Sequence, residues 1–190
     1  MNNEDVRVLA VMGTVFSVIG VISFIFYLVG AISRFKYLRV RSYSGSVLAF
    51  VPIANIWAIV EATYGPVDKI NLYGWYAPAI VLKLWTIVSY VLALVINVIP
   101  GIGNALSLLL TILNVAIQVM IYRDMMERLD SPQPKEGFGP IVAVIIHIIA
   151  DIMVLRAARD FRPGDQDWKS DYRPLYSQTI TGGPLSSLNR

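Results

Sequence analysis

Cysteine is absent and histidine occurs once in the 190 residues. Without cysteine there are no disulfides and no thiolate metal sites, although this says little about compartment. A catalytic zinc takes about three protein ligands. His147 and Asp151, four apart in "HIIAD", offer a pair and nothing more, so no metal site is expected. Charge is also scarce. Asp, Glu, Lys and Arg make up 15% of the chain and hydrophobic residues 56%, where a soluble domain carries roughly 25% charged residues. The net charge of +3 is small and scattered, which gives no electrostatic footprint for nucleic acid. Catalytic signatures are missing too: no G-x-S-x-G, no H-E-x-x-H, and "GIGN" lacks the Lys and Ser/Thr of a phosphate loop. "DQDWKSD" lacks the Gly and terminal Glu of a calcium loop. The expectation is a non-catalytic protein without cofactor.

What is present is apolar sequence. Residues 8–33 hold no Asp, Glu, Lys, Arg or His, which is about 39 Å of helix against a hydrocarbon core of ~30 Å. The flank "MNNEDVR" is acidic where a signal peptide is basic, so the run reads as an uncleaved anchor. Five apolar segments can be drawn, at 7–33, 46–64, 75–99, 104–122 and 139–155. They predict an all-α, polytopic transmembrane bundle over 1–158, followed by a polar tail over 159–190. Segment 46–64 carries Pro52, Asn55 and Glu61. It either crosses or is kinked or re-entrant, giving four or five spans. Basic clusters lie at Arg34–Arg41 and Arg156–Arg162. Lys and Arg accumulate on the cytoplasmic side, and five crossings put both clusters there, with the loop "RDMMERLDSPQPKEGFG" on the opposite face. The C-terminus is then cytoplasmic.

Proline and asparagine occur together twice, in "FVPIANIW" and "VIPGIGN". Pro suits a first helical turn and Asn an N-cap. The second run therefore reads as a tight hairpin with Asn104 at the start of the next helix. The first either begins a helix or kinks it.

Polar residues fall in stripes. Asn104, Ser107, Thr111, Asn114 and Gln118 recur at spacings of three and four, one face of a helix. Lys83, Thr86, Tyr90 and Asn97 do the same in the third segment, and Gly13, Ser17, Gly20 and Gly30 form a small-residue seam in the first. Such faces either glue helices together or line a hydrated path. Glu61, Lys83, His147 and Asp151 sit inside apolar segments, where a charge costs at least ~2.5–3.5 kcal/mol and usually finds a partner or water. Lys83 and Glu61 would pair in the outer half. His147 and Asp151 would share a face, as a hydrogen-bonded pair or a proton relay.

In the tail, Trp168, Tyr172 and Tyr176 are spaced i, i+4, i+8. They either rest on lipid headgroups or dock on a partner protein. The pieces "LAFVPIAN", "VIPGIGN", "YRDMMERL" and "GFGPIVAVI" together resemble a group of small, uncharacterised bacterial multi-pass membrane proteins, some adjoining signal-peptidase-like sequences. Two apolar-Pro-x-x-Asn helix starts mark that group. The second departs here, with one more residue between Pro and Asn, and the likeness covers about residues 20–155. It implies a helical membrane domain and no defined chemistry. The expected role is an accessory or structural component of a membrane assembly, bound to lipid and to other subunits or itself. The alternative is a small oligomeric channel or transporter for protons or ions.

Overall fold

The structure is a computed structural model, and it describes residues 3–72, 75–98, 102–131, 139–171 and Leu175. Helix α1 runs Asn3–Val40. No proline precedes Pro52, so no residue before it lacks the N–H that a helical ladder needs. The helix closes with Ser42 in the left-handed region (φ 56°) and the Tyr43 N–H on the Leu38 carbonyl at 2.9 Å. That is a six-to-one helix closure usually built on glycine. Here the Ser42 hydroxyl donates to the Gln166 carbonyl at 2.8 Å, a contact that helps to hold the conformation.

A 3-10 turn over Ser46–Phe50 is followed by α2, Ala54–Tyr64. Pro52 stands just outside that helix, and the Asn55 N–H reaches back to the Val51 carbonyl at 2.9 Å. Strands β1 (Lys69–Leu72) and β2 (Trp75–Pro78) form an antiparallel hairpin with Lys69 opposite Pro78 and Ile70 opposite Ala77. Then come α3 (Ala79–Lys83), α4 (Trp85–Asn97), α5 (Gly103–Arg128), α6 (Gly139–Ile145) and α7 (His147–Ala157). Helix α5 ends as α1 does, with Asp130 at φ 47° and the Ser131 N–H on the Met126 carbonyl at 3.1 Å.

Among the described residues, α1 and α5 are each long and apolar enough to cross a membrane, and α6–α7, bent by 116°, adds a third candidate if counted as one span. The described residues therefore account for two or three of the four or five spans expected from the apolar segments. Segment 46–64 is broken, and α2 extends only about 17 Å, with Ala58, Ile59, Val60, Ala62 and Thr63 buried in protein. Segment 75–99 opens as a strand, and α4 is about 20 Å long.

The ends of the helices settle a second point. The Gly164, Gln166 and Trp168 N–H groups donate to the Arg39, Val40 and Arg41 carbonyls at 2.9, 3.0 and 3.2 Å. Both basic clusters thus lie at one end of the molecule. Arg128 joins them there, because Asp171 binds Arg41 and Arg128 together. The loop after α5 consequently starts at this basic end, contrary to the opposite face expected for it. Its charges are mixed in sign, so composition could not place it. Residues 132–138 lie outside the described residues.

The core occupies the same end, with Tyr37, Leu38, Ala58, Leu82, Met120 and Met126 nearly inaccessible. Away from it, α1 exposes an apolar surface from Val6 to Phe26, as do α4 at Val91, Leu94 and Val95 and α5 at Leu108, Leu109 and Ile112. A soluble monomer rarely leaves a contiguous apolar patch larger than a few hundred Å² in water. A lipid belt accounts for this one.

Candidate functional site

Two clefts, each of about 490 Å³, meet between the helices. The outer one separates α4 from α5, which run antiparallel: the Trp85 indole N–H donates to Asn114 Oδ1 at 2.7 Å, and Gly103 lies beside the Ile96 carbonyl. Its walls include Thr86, Tyr90 and Asn97 from α4 facing Ser107, Thr111 and Asn114 from α5. The two polar stripes thus confront each other. Asn104 is exposed outside the cleft. The Thr111 hydroxyl turns back to the Ser107 carbonyl at 2.9 Å, which lowers its polarity toward the cleft.

The inner cavity shares Thr86, Ser89 and Asn114 with the outer one and reaches the basic end. Gln118, His147 and Asp151 line it, together with Ser33, Arg34 and Asn55. His147 opens α7 just after the bend at Ile146, where the helical ladder is interrupted. Non-helical backbone at membrane depth is tolerated where it lines a cavity or is buried in protein. Asp151 is pressed on α1: a Cβ on Gly30 would come within 2.8 Å of Asp151 Oδ2, and the Ser33 hydroxyl donates to the Asp151 carbonyl at 2.9 Å. The His147–Asp151 spacing brings both side chains to this cavity. No hydrogen bond links them.

Glu61 and Lys83 lie elsewhere. Lys83 Nζ is 3.2 Å from Glu61 Oε1, and Glu61 Oε2 accepts from the Tyr43 hydroxyl at 2.7 Å and the Trp57 indole at 3.1 Å. Lys83 also sits 5.1 Å from the centre of the Trp57 ring. Burial alone pushes the Glu61 carboxyl up, yet the Tyr43, Lys83 and Trp57 hydrogen bonds and the Lys83 charge outweigh it and hold it below its ordinary value. Burial, and then Glu61, push the Tyr43 phenol well above the usual range. This cluster sits at the basic end rather than in the outer half, because α2 ends against Arg41, whose Nε donates to the Ala62 carbonyl at 3.1 Å.

Trp168 rests on its own chain, its ring 5.4 Å from that of Tyr43. Tyr172 and Tyr176 lie outside the described residues. Sequence reasoning missed the polar knot beside Trp168. Arg41 is fully buried and Arg128 nearly so, and both bind Asp171. Arg128 Nε donates to the Thr63 carbonyl at 2.9 Å, Gln166 Nε2 to the Arg128 carbonyl at 2.8 Å, and the Tyr64 hydroxyl to Asp124 at 2.7 Å. Arg41 closes a basic run and reads as a solvated flank. Only the acid in the tail, 130 residues later, distinguishes it.

Among the described residues no group of three or more His, Cys, Asp or Glu is placed to hold a metal. The chain is that of a helical membrane protein, with two or three helices able to span by length and composition. No family model, curated protein or solved structure matches it.

Proposed function

We propose that this protein is a non-catalytic integral membrane subunit of a larger assembly, in a bacterial plasma membrane with its basic end in the cytoplasm. One observation carries the reading. From Val6 to Phe26 every α1 side chain is exposed, and nothing lies within 4 Å of where Gly13 and Gly20 would carry a Cβ. Long apolar helices with a small-residue seam associate through close backbone approach in lipid, so this half of α1 is suited to a helix of another subunit or of a second copy. The clustering of Arg34, Lys36, Arg39, Arg156 and Arg159 near the end where α1 meets the tail supports the cytoplasmic placement. Purification from native membranes in mild detergent, with mass spectrometry of co-purifying chains, tests the proposal. A stoichiometric partner chain, lost when Gly13 and Gly20 are both changed to Leu, is the expected result, and a homo-oligomer without one weakens the reading. A clean monomer contradicts it.

A second reading has an observation of its own. The α4 and α5 stripes face each other across one cleft, as a hydrated path would require. On that reading the protein is a small oligomeric channel or transporter. Proton or ion flux into liposomes, abolished by Asp151→Asn, would favour it over the assembly role.

A further inference from the structure

The end of α1 and the end of α7, with the 3-10 turn Ala158–Asp160 that closes it, repeat one pattern. Ile32, Lys36 and Arg39 follow each other at spacings of four and three, and so do Ile152, Arg156 and Arg159. That spacing puts each trio on one face of its helix. Both isoleucines are exposed, as are Arg39, Arg156 and Arg159, and Lys36 is half-buried. The two helices run in the same direction at matched height. The Ser33 hydroxyl donates to the Asp151 carbonyl, and further along the Gly164 N–H donates to the Arg39 carbonyl. Each helix therefore presents an apolar side chain followed, toward the basic end, by two cations.

The protein itself leaves these cations free. Among the described residues Lys36, Arg39, Arg156, Arg159 and Arg162 join no ion pair and donate no side-chain hydrogen bond. Arg39 lies against the Phe35 ring, 5.7 Å from its centre. Arg34 differs, because it lines the inner cavity and interacts electrostatically with Asp151. The acids of the adjoining stretch are Asp160, Asp165 and Asp167. Asp165 accepts the Arg162 N–H, and Asp167 the Lys169 N–H and the Ser170 hydroxyl, so both turn to their own loop. Positive charge is in excess here. The opposite end has no counterpart: residues 84–122, which include the α4–α5 connection, hold no charged residue, and Arg7 stands beside Glu4 and Asp5.

Depth selects what the cations meet. Ile32 ends the uncharged run 8–33, and Ile152 lies near the end of the apolar segment 139–155, so both sit at the edge of the hydrocarbon. The cations follow at four and seven residues, about 6 and 10 Å further along the helix, which is the layer of the phosphates. A guanidinium pairs with a phosphodiester through two parallel N–H donors. Basic segments beside a span attract anionic lipid in particular, because a zwitterionic headgroup brings its own cation to the phosphate. We propose that these two faces bind anionic phospholipids, with the phosphates on Lys36, Arg39, Arg156 and Arg159 and the acyl chains against Ile32 and Ile152. The inference rests on the membrane placement of α1 and not on the assembly reading. A protein that selects this lipid and co-purifies with no partner keeps the first and loses the second.

The test uses the full chain, delipidated in detergent, with lipid binding followed by native mass spectrometry. The probes are a phosphatidylglycerol and a phosphatidylcholine with the same acyl chains. One cation near an anionic surface contributes roughly a factor of five, so the wild type should prefer the glycerol lipid by about fivefold or more at low salt. The preference should shrink as ammonium acetate is raised to about 1 M, where exposed charges are screened. The combined variant Lys36→Gln, Arg39→Gln, Arg156→Gln and Arg159→Gln should bring it to near unity at low salt. Arg7→Gln, at the other end of α1, should leave it unchanged. Equal binding of the two lipids by the wild type overturns the proposal, as does a preference that is insensitive to salt or survives the combined variant. A loss as large with Arg7→Gln also overturns it, because selection would then follow net charge and not these faces. Should the combined variant fail to fold, the pairs Lys36→Gln with Arg39→Gln and Arg156→Gln with Arg159→Gln decide: a preference unchanged in both rejects the site.

Discussion

The two halves of α1 are built from similar residues and live in different surroundings. From Val6 to Phe26 the side chains are exposed, and the hydroxyls of Thr14 and Ser17 close on their own helix, at the Ala10 and Gly13 carbonyls, 2.9 and 2.8 Å away. From Gly30 onward Ala31, Ser33, Tyr37, Leu38 and Val40 are buried, and polar groups reach other elements: Ser33 to α7, Tyr37 to Thr63, Arg41 to α2 and the tail. In the first half a polar atom is neutralised locally, as a helix facing lipid requires. In the second, polar atoms are the means by which distant parts of the chain are fastened together. A lipid belt needs composition alone, whereas the packed end needs particular partners.

Removing the shared acid should expose that contrast most strongly. Asp171→Ala removes the carboxylate shared by Arg41 and Arg128, which are almost without solvent contact. Breaking a buried ion pair by deleting one partner costs about 3–5 kcal/mol. Thermal unfolding in detergent should show a large drop, with residues 162–171 becoming accessible to protease.

Glycine substitutions compare the halves directly. Gly30→Ala drives a methyl group into the Asp151 carboxylate, whereas Gly13→Ala and Gly20→Ala meet nothing within 4 Å. The obstructing atoms belong to the end of a side chain that must turn aside, so Gly30→Ala should give a lower unfolding midpoint than the other two. The other two should leave it within about 0.5 kcal/mol or raise it slightly, since alanine favours helix. Equal effects at all three positions would erase the distinction between the halves.

How much of this was legible beforehand follows the same division. The apolar run of α1 and the long α5 could be read because a span depends on composition over a window. The polar stripes of α4 and α5 could be read because helical spacing fixes which residues share a face, although not which neighbour they meet. Segment 46–64 could not be resolved, because a buried helix and a spanning one have the same apolar content; α2 is buried by protein. The Arg41–Asp171–Arg128 knot was invisible. Its members come from three separate segments and carry no local pattern.

A smaller effect concerns pH. The Glu61 carboxyl is held below its ordinary value in the folded protein. Its contribution is therefore fully present above the unfolded value and lost as pH falls through the folded one. The midpoint advantage of wild type over Glu61→Gln should be constant from neutral pH down to the ordinary glutamate range and shrink below it. An advantage that grew in acid would mean that the Tyr43, Trp57 and Lys83 contacts do not stabilise the charged form.

The most direct test of the two-region account uses the absence of cysteine. Single cysteines replacing Val15, Val95, Leu109, Ala58 and Met126 would be spin-labelled in nanodiscs, and the relaxation by oxygen and by a water-soluble nickel chelate compared. Positions 15, 95 and 109 should be open to oxygen and closed to the chelate, the signature of lipid contact. Positions 58 and 126, buried in the packed end, should be closed to both. Access of the chelate to positions 15, 95 and 109 would contradict the account, because the exposed half of the molecule would then face water.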